Sequence, residues 1–147
     1  MRDSYRIVLV DDNVWLRLEL IKYLEAKTDL EIIGEANDGV ELLALLDKLS
    51  AEQQPLPHLI ILDISMPRLG GIETAWQIKR EYPSIKILFL SCYDKMEYLD
   101  YTIGGGADGF LLKDDMDGEI FSAISMVRQG GSYVSPGFIK GIADTRL

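Results

Sequence analysis

Four short runs of unbroken apolar residues constrain the fold more than any other feature of the chain. They are Ile7-Val8-Leu9-Val10, Leu59-Ile60-Ile61-Leu62, Ile87-Leu88-Phe89-Leu90 and Phe110-Leu111-Leu112. A strand with one wet face alternates apolar and polar residues. A strand that is apolar throughout needs cover on both faces, which is the situation in a parallel sheet flanked by helices. A fifth segment, Leu30-Glu31-Ile32-Ile33-Gly34-Glu35-Ala36, carries more polar residues and suits a sheet edge.

Helical periodicity fills the intervals. Leu16, Leu20, Ile21 and Leu24 share one face, and Leu42, Leu45, Leu46 and Leu49 another. Ile72, Ala75 and Trp76 open a third helix that Pro83 stops, and Met116, Ile120, Ala123, Ile124 and Val127 mark the last, ending before Gly130-Gly131. A helix over residues 94–106 is the weakest of the set, because Gly104-Gly105-Gly106 frays its end. Strand and helix therefore alternate five times, the pattern of a parallel α/β sheet covered on both sides. With 147 residues there is room for one such domain, here residues 1–129, and a tail over 130–147.

Composition excludes several classes of function. The formal net charge of -9, from 24 acidic and 15 basic residues, makes direct binding of nucleic acid by this segment unfavourable. A single cysteine, Cys92, and a single histidine, His58, leave no disulfide and no multi-cysteine zinc site. The N-terminus lacks the apolar stretch of a signal peptide and no uncharged apolar run has membrane-spanning length, so a cytoplasmic location is expected.

In an open parallel sheet, ligands bind at the carboxyl ends of the strands. Here the first run is followed by Asp11-Asp12, the second by Asp63, the third by Ser91 and the fourth by Lys113. Singly, each has an ordinary explanation. Asp12 or Asn13 caps a helix, Asp63 starts a turn, Ser91 satisfies a backbone group and Lys113 is solvated. Jointly, three carboxylates, a hydroxyl and an ammonium on one rim describe a site. Carboxylates held together repel one another unless a cation joins them, and hard oxygen donors in small number suit Mg²⁺ with phosphate oxygens. Asp63 then serves as nucleophile, Lys113 as counter-charge and Ser91 as a later hydrogen-bond donor.

Val10-Asp11-Asp12, Asp63-Ile64-Ser65-Met66-Pro67 with Gly71-Ile72-Glu73, Leu90-Ser91, and Gly106-Ala107-Asp108-Gly109-Phe110-Leu111-Leu112-Lys113-Asp114 resemble the receiver domain of bacterial two-component response regulators. The resemblance spans about residues 6–129 with every motif in the family's order. It implies a flavodoxin-like, doubly wound (βα)5 fold whose five parallel strands run in the order 2-1-3-4-5. It further implies that Asp63 is the phosphoacceptor, that Asp12 ligates Mg²⁺ directly and Asp11 mainly through water, and that the Ser65 backbone carbonyl completes the protein ligands. Lys113 would pair with the phosphoryl group, Ser91 would be the switch hydroxyl and Phe110 the switch aromatic. Ser65 and Tyr93 occupy positions that tune hydrolysis of the acyl phosphate.

The implied function is phosphorelay signalling. A sensor histidine kinase donates the phosphoryl group, and the domain is a phosphoacceptor rather than an enzyme, catalysing only its own phosphorylation and slow dephosphorylation. Leu112-Lys113-Asp114 and Gly130-Gly131-Ser132-Tyr133-Val134-Ser135-Pro136 are similar to receivers joined to a LuxR-type (NarL/FixJ-like) helix-turn-helix domain, so transcription through a DNA-binding domain outside this chain is the expected output, and a homodimer on phosphorylation is an option. Gly104-Gly105 departs from the alanine-rich helix end common in the family, and Asp114 stands where many receivers have proline. Three rivals are weighed. An aspartyl-phosphate hydrolase would carry Asp-x-Asp at the first strand and a cap domain; a flavin carrier would need a hydroxyl- and glycine-rich loop there. The third is a receiver-like interaction module that works without phosphorylation. Trp15 and Trp76 read as helix-packing residues, Cys92 as a buried inert thiol, His58 as exposed, and Tyr93, Tyr98 and Tyr101 as either packing or a partner surface with Phe110. Pro136 followed by Phe138, Ile139 and Ile142 suits a short docked helix or a linker.

Overall fold

The computed structural model describes residues 4–64, 66, 69–92 and 107–137. Its strands are β1 (Tyr5–Val10), β2 (Leu30–Ala36), β3 (Leu59–Asp63), β4 (Lys86–Ser91), β5 (Gly109–Leu112) and β6 (Tyr133–Val134), and its helices α1 (Val14–Glu25), α2 (Gly39–Ala51), α3 (Gly71–Glu81) and α4 (Met116–Arg128). The six strands form one sheet, all pairs parallel, in the order β2-β1-β3-β4-β5-β6. This is the flavodoxin-like arrangement with the expected order 2-1-3-4-5 and a strand added at one edge. The helix expected over residues 94–106, with Tyr93, Tyr98 and Tyr101, lies outside the described residues, as do Ser65 and residues 138–147.

Both sheet faces are covered, as the apolar runs require. Leu20 and Leu24 of α1 and Ile120, Ala123, Ile124 and Val127 of α4 pack against Ile7, Leu9, Ile61, Leu88 and Leu111 on one face. Leu42 and Leu46 of α2 and Ala75 and Ile78 of α3 pack against Val8, Val10, Ile60, Leu62, Ile87 and Phe89 on the other. Alternate residues of one strand thus feed two separate cores, the period-2 geometry of a strand acting on an all-apolar sequence. The mixed-polarity β2 sits at the sheet edge. Among the described residues no helix is long and apolar enough to cross a membrane.

Within the tail expected over residues 130–147, Tyr133–Val134 adds a sixth strand to the sheet. Gly130, at φ +90, takes the left-handed conformation that glycine adopts without strain, and the chain closes α4 with Gly131 N donating to the Met126 carbonyl at 2.9 Å and Gly130 N to that of Val127 at 3.0 Å. This reversal lays Tyr133–Val134 against Gly109 and Phe110. Ser135 follows, fully buried, its amide donating to the Phe110 carbonyl at 2.9 Å and its hydroxyl to Asp115 Oδ2. Gly137 N donates to the same carboxylate oxygen at 2.9 Å. Side chains distant in sequence create this strand.

Four single-residue expectations need correction. Trp15 is 79% exposed and Trp76 44%, so neither is a packing residue; each lies on the solvent side of a helix whose inner side is filled by leucine, isoleucine or alanine. Cys92 is exposed, because the side chain after buried Ser91 leaves the end of β4 on the outside. His58 is half-buried rather than exposed. Its ring stacks on Tyr5 at 5.0 Å, and its Nδ1 accepts from the Arg6 amide at 2.9 Å.

Candidate functional site

Parallel register assembles the rim. Val10 pairs with Leu62, so the next residues, Asp11 and Asp63, leave neighbouring strands side by side. Asp63 pairs with Leu90, one residue before Ser91, and Ser91 pairs with Leu112, one residue before Lys113. The chain also crosses from one side of β1 to the other between β2 and β3, so the crevice lies at the topological switch point.

The carboxylates converge. Asp11, Asp12 and Asp63 each present an oxygen within 4.8 Å of the others, with Asp11 and Asp63 buried and Asp12 exposed. Lys113 Nζ lies 3.0 Å from Asp11 Oδ2 and 3.5 Å from Asp63 Oδ2. Burial, the largest single influence on Lys113, pulls its pKa down; the hydrogen bond to Asp11 and the charges of Asp63 and Asp11 outweigh it, and the net shift is upward. The ammonium is therefore a fixed positive charge at neutral pH and not the solvated surface group of the ordinary explanation. Three carboxylates against one ammonium leave a formal excess of two negative charges, which a divalent cation would neutralise.

Local structure sets each group. Asn13, not Asp12, caps α1, its Oδ1 accepting from Leu16 N at 3.2 Å, which leaves Asp12 free to face the rim. Asp11 Oδ1 accepts from Asn13 N at 2.9 Å and tightens the turn. Behind Asp63, Gly71 starts α3 against the β3 backbone. A Cβ built on Gly71 would stand 2.3 Å from the Asp63 carbonyl oxygen and 2.8 Å from Ile64 Cα, so this approach admits glycine alone. Lys113 opens a 3₁₀ turn (Lys113–Asp115) that feeds α4. Ser91 is buried at the tip of β4, and Phe110 is buried in β5 within the core shared with α2 and α3.

The site residues read from sequence are therefore brought together for Asp11, Asp12, Asp63 and Lys113, while Ser91 takes its place at the end of β4. The Ser65 carbonyl lies outside the described residues. Sequence reading missed Arg17, whose guanidinium reaches back to the Asp11 carbonyl. The available signal was a cation four residues into a helix, near the positive end of its dipole.

A search of family models matches the Response regulator receiver domain over residues 7–125. The chain belongs to this family. Similar proteins include the uncharacterized transcriptional regulatory protein YxjL of Bacillus subtilis, 36% identical over 88% of this receiver chain and 56% of that protein. The oxygen regulatory protein NreC of Staphylococcus carnosus is 33% identical over 89% and 58% respectively. The receiver chain thus spans little more than half the length of these regulators. Among solved structures, a LuxR-family two-component response regulator from Aurantimonas sp. SI85-9A1 superimposes with a TM-score of 0.86 at 25% identity, covering 98% of this chain and 99% of that one. The signal receiver domain of the response regulator NarL from Mycobacterium tuberculosis gives 0.74 at 30% identity, over 88% and 99%.

Proposed function

We propose that this receiver takes a phosphoryl group from a sensor histidine kinase onto Asp63. In that step a carboxylate oxygen of Asp63 forms the new P–O bond while the P–N bond of the kinase phosphohistidine breaks, its electron pair returning to the imidazole. The observation that carries the reading is the flanking of one buried carboxylate, Asp63, by two further carboxylates within 4.8 Å and by the Lys113 ammonium at 3.5 Å.

Asp11, Asp12 and Asp63, with the Ser65 carbonyl, would hold Mg²⁺. The all-oxygen donor set, its open side at exposed Asp12 and the excess negative charge fit a small hard dication. When bound, the ion supplies neutralisation of the oxygens on the transferring phosphoryl group. Lys113 supplies the fixed charge on the other side of Asp63 and limits repulsion between Asp63 and its donor. Ser91 donates its hydroxyl to a phosphoryl oxygen, and Phe110 repacks as that hydroxyl moves, a shift between two packings biased from the site.

The receiver proper covers residues 1–129. The tail, docked at first through β6, continues toward an effector, which the name of YxjL as a transcriptional regulatory protein supports as DNA-binding. The kinase, a phosphorylation-linked homodimer and a cytoplasmic location belong to the same reading. The test is intact-mass measurement after incubation with Mg²⁺ and a small acyl phosphate. Addition of one phosphoryl group, abolished by chelator and by Asp63→Asn, is expected. No addition under any condition would favour an interaction module that works without phosphorylation.

A further inference from the structure

Among the described residues no side chain holds Asp12, although its carboxylate must meet those of Asp11 and Asp63. Its placement therefore comes from the backbone on either side. On the C-terminal side the Asn13 amide is tied to Asp11 Oδ1. On the N-terminal side Arg17 Nη1 donates to the Asp11 carbonyl. The Asp11–Asp12 peptide is planar, so anchoring that oxygen fixes the plane from which Asp12 departs.

Arg17 is itself held. Its side chain is 11% exposed, with Nε donating to Glu35 Oε1 at 3.1 Å and Nη1 to Asn37 Oδ1 at 2.7 Å. Asn37 donates to Glu41 Oε1 from both its backbone and its side-chain nitrogen, each at 3.0 Å, and Glu41 lies in the first turn of α2. A planar fork with several donors is the group that can span a carbonyl, an amide oxygen and a carboxylate at once.

We propose that Arg17 is a positioning residue for the divalent-cation site: it sets the Asp11–Asp12 peptide and, through Asn37 and Glu41, couples that peptide to the start of α2. The inference rests on the reading of Asp11, Asp12 and Asp63 as a Mg²⁺ site. Charge and position act with opposite sign here. As a bare charge beside carboxylates, Arg17 would weaken cation binding, and its removal would tighten it. As a positioning group, its removal loosens Asp12 and weakens binding.

The test titrates Mg²⁺ into the full chain, reading Trp15 fluorescence in a Trp76→Phe background, with urea unfolding in chelator alongside. Arg17→Gln is expected to weaken Mg²⁺ binding roughly tenfold, as loss of a group that orients a ligand does. Arg17→Lys, which keeps the charge and lacks the fork, is expected to weaken it as well. Unchanged or tighter binding by folded Arg17→Gln overturns the proposal, as does a lowered urea midpoint with unaltered affinity. Should Arg17→Gln not fold, Arg17→Lys decides by the same criteria. A parent protein with no saturable Mg²⁺ response would overturn the site reading itself, a result distinct from a normal parent with insensitive variants.

Discussion

Replacing Asp63 by asparagine should stabilise the metal-free protein. Removing one member of a buried ion pair ordinarily costs about 3–5 kcal/mol, because its partner is left uncompensated. Here Lys113 keeps Asp11 at 3.0 Å when Asp63 is neutralised. Facing oxygens of Asp11 and Asp63 lie no more than 4.8 Å apart, so at an effective dielectric of about 20 their repulsion is worth at least about 3.5 kcal/mol. Exposed Asp12 adds at most about 1 kcal/mol. The attraction lost, Lys113 to Asp63 at 3.5 Å, is about 4.7 kcal/mol on the same scale. These nearly cancel, and burying an amide in place of a carboxylate then decides the sign. Urea unfolding in chelator should show Asp63→Asn more stable by about 1–3 kcal/mol. Adding Mg²⁺ to ten times its dissociation constant should return about 1.4 kcal/mol to the parent and little to the variant. A loss of about 3 kcal/mol or more in chelator would refute the reasoning, since it would mean that Lys113 depends on Asp63 alone.

Three further outcomes follow from the packing. Gly71→Ala should destabilise by roughly 2 kcal/mol or more in urea unfolding, because the atoms its Cβ meets belong to the backbone of Asp63 and Ile64 and cannot rotate away; unchanged stability would contradict the close approach. Tyr5 has its hydroxyl buried without a hydrogen-bond partner among the described residues, and burial pushes its pKa up to about 12, against the Arg128 guanidinium above the ring. Its contribution to stability is complete below pH 10 and declines as pH rises toward 12. Tyr5→Phe should accordingly be neutral or stabilising at pH 7 and should reduce the alkaline decline seen in unfolding curves at a series of pH values. Asp115→Ala leaves the Ser135 hydroxyl and the Gly137 amide without their acceptor, so about 2 kcal/mol should be lost. Hydrogen exchange at the Ser135 amide should accelerate, and full protection there would contradict the docking of β6.

The fold was legible where one physical cause dominates. Apolar runs of three or four residues, too short for buried helices and alternating with helical patterns, read as buried strands of a covered sheet, and the polar admixture of β2 marks an edge, so those elements and the residues at their tips followed from pattern. Elements held by side chains from elsewhere were not legible. Tyr133–Val134 has no periodicity to read; it becomes a strand because Asp115 captures Ser135 and because Glu119 accepts from the Tyr133 hydroxyl at 2.5 Å. Hydrophobicity also misplaced Trp15 and Trp76, since an indole can remain outside when smaller residues already fill the inner face of its helix. The acidic triad and Lys113 were legible because parallel register carries strand tips to one rim. Arg17 was not, because its partners on β2 and in the loop before α2 meet it only after the sheet has formed.

The most direct measurement of the central claim is chemical trapping of the phosphoryl linkage. Protein treated with Mg²⁺ and an acyl phosphate is reduced with borohydride, which converts a phosphorylated aspartate to homoserine, and peptide sequencing locates the change. Homoserine at position 63, absent without Mg²⁺, is the expected result. Homoserine at position 11 or 12 instead, or none in a protein that binds Mg²⁺, would contradict the assignment of Asp63 as the acceptor.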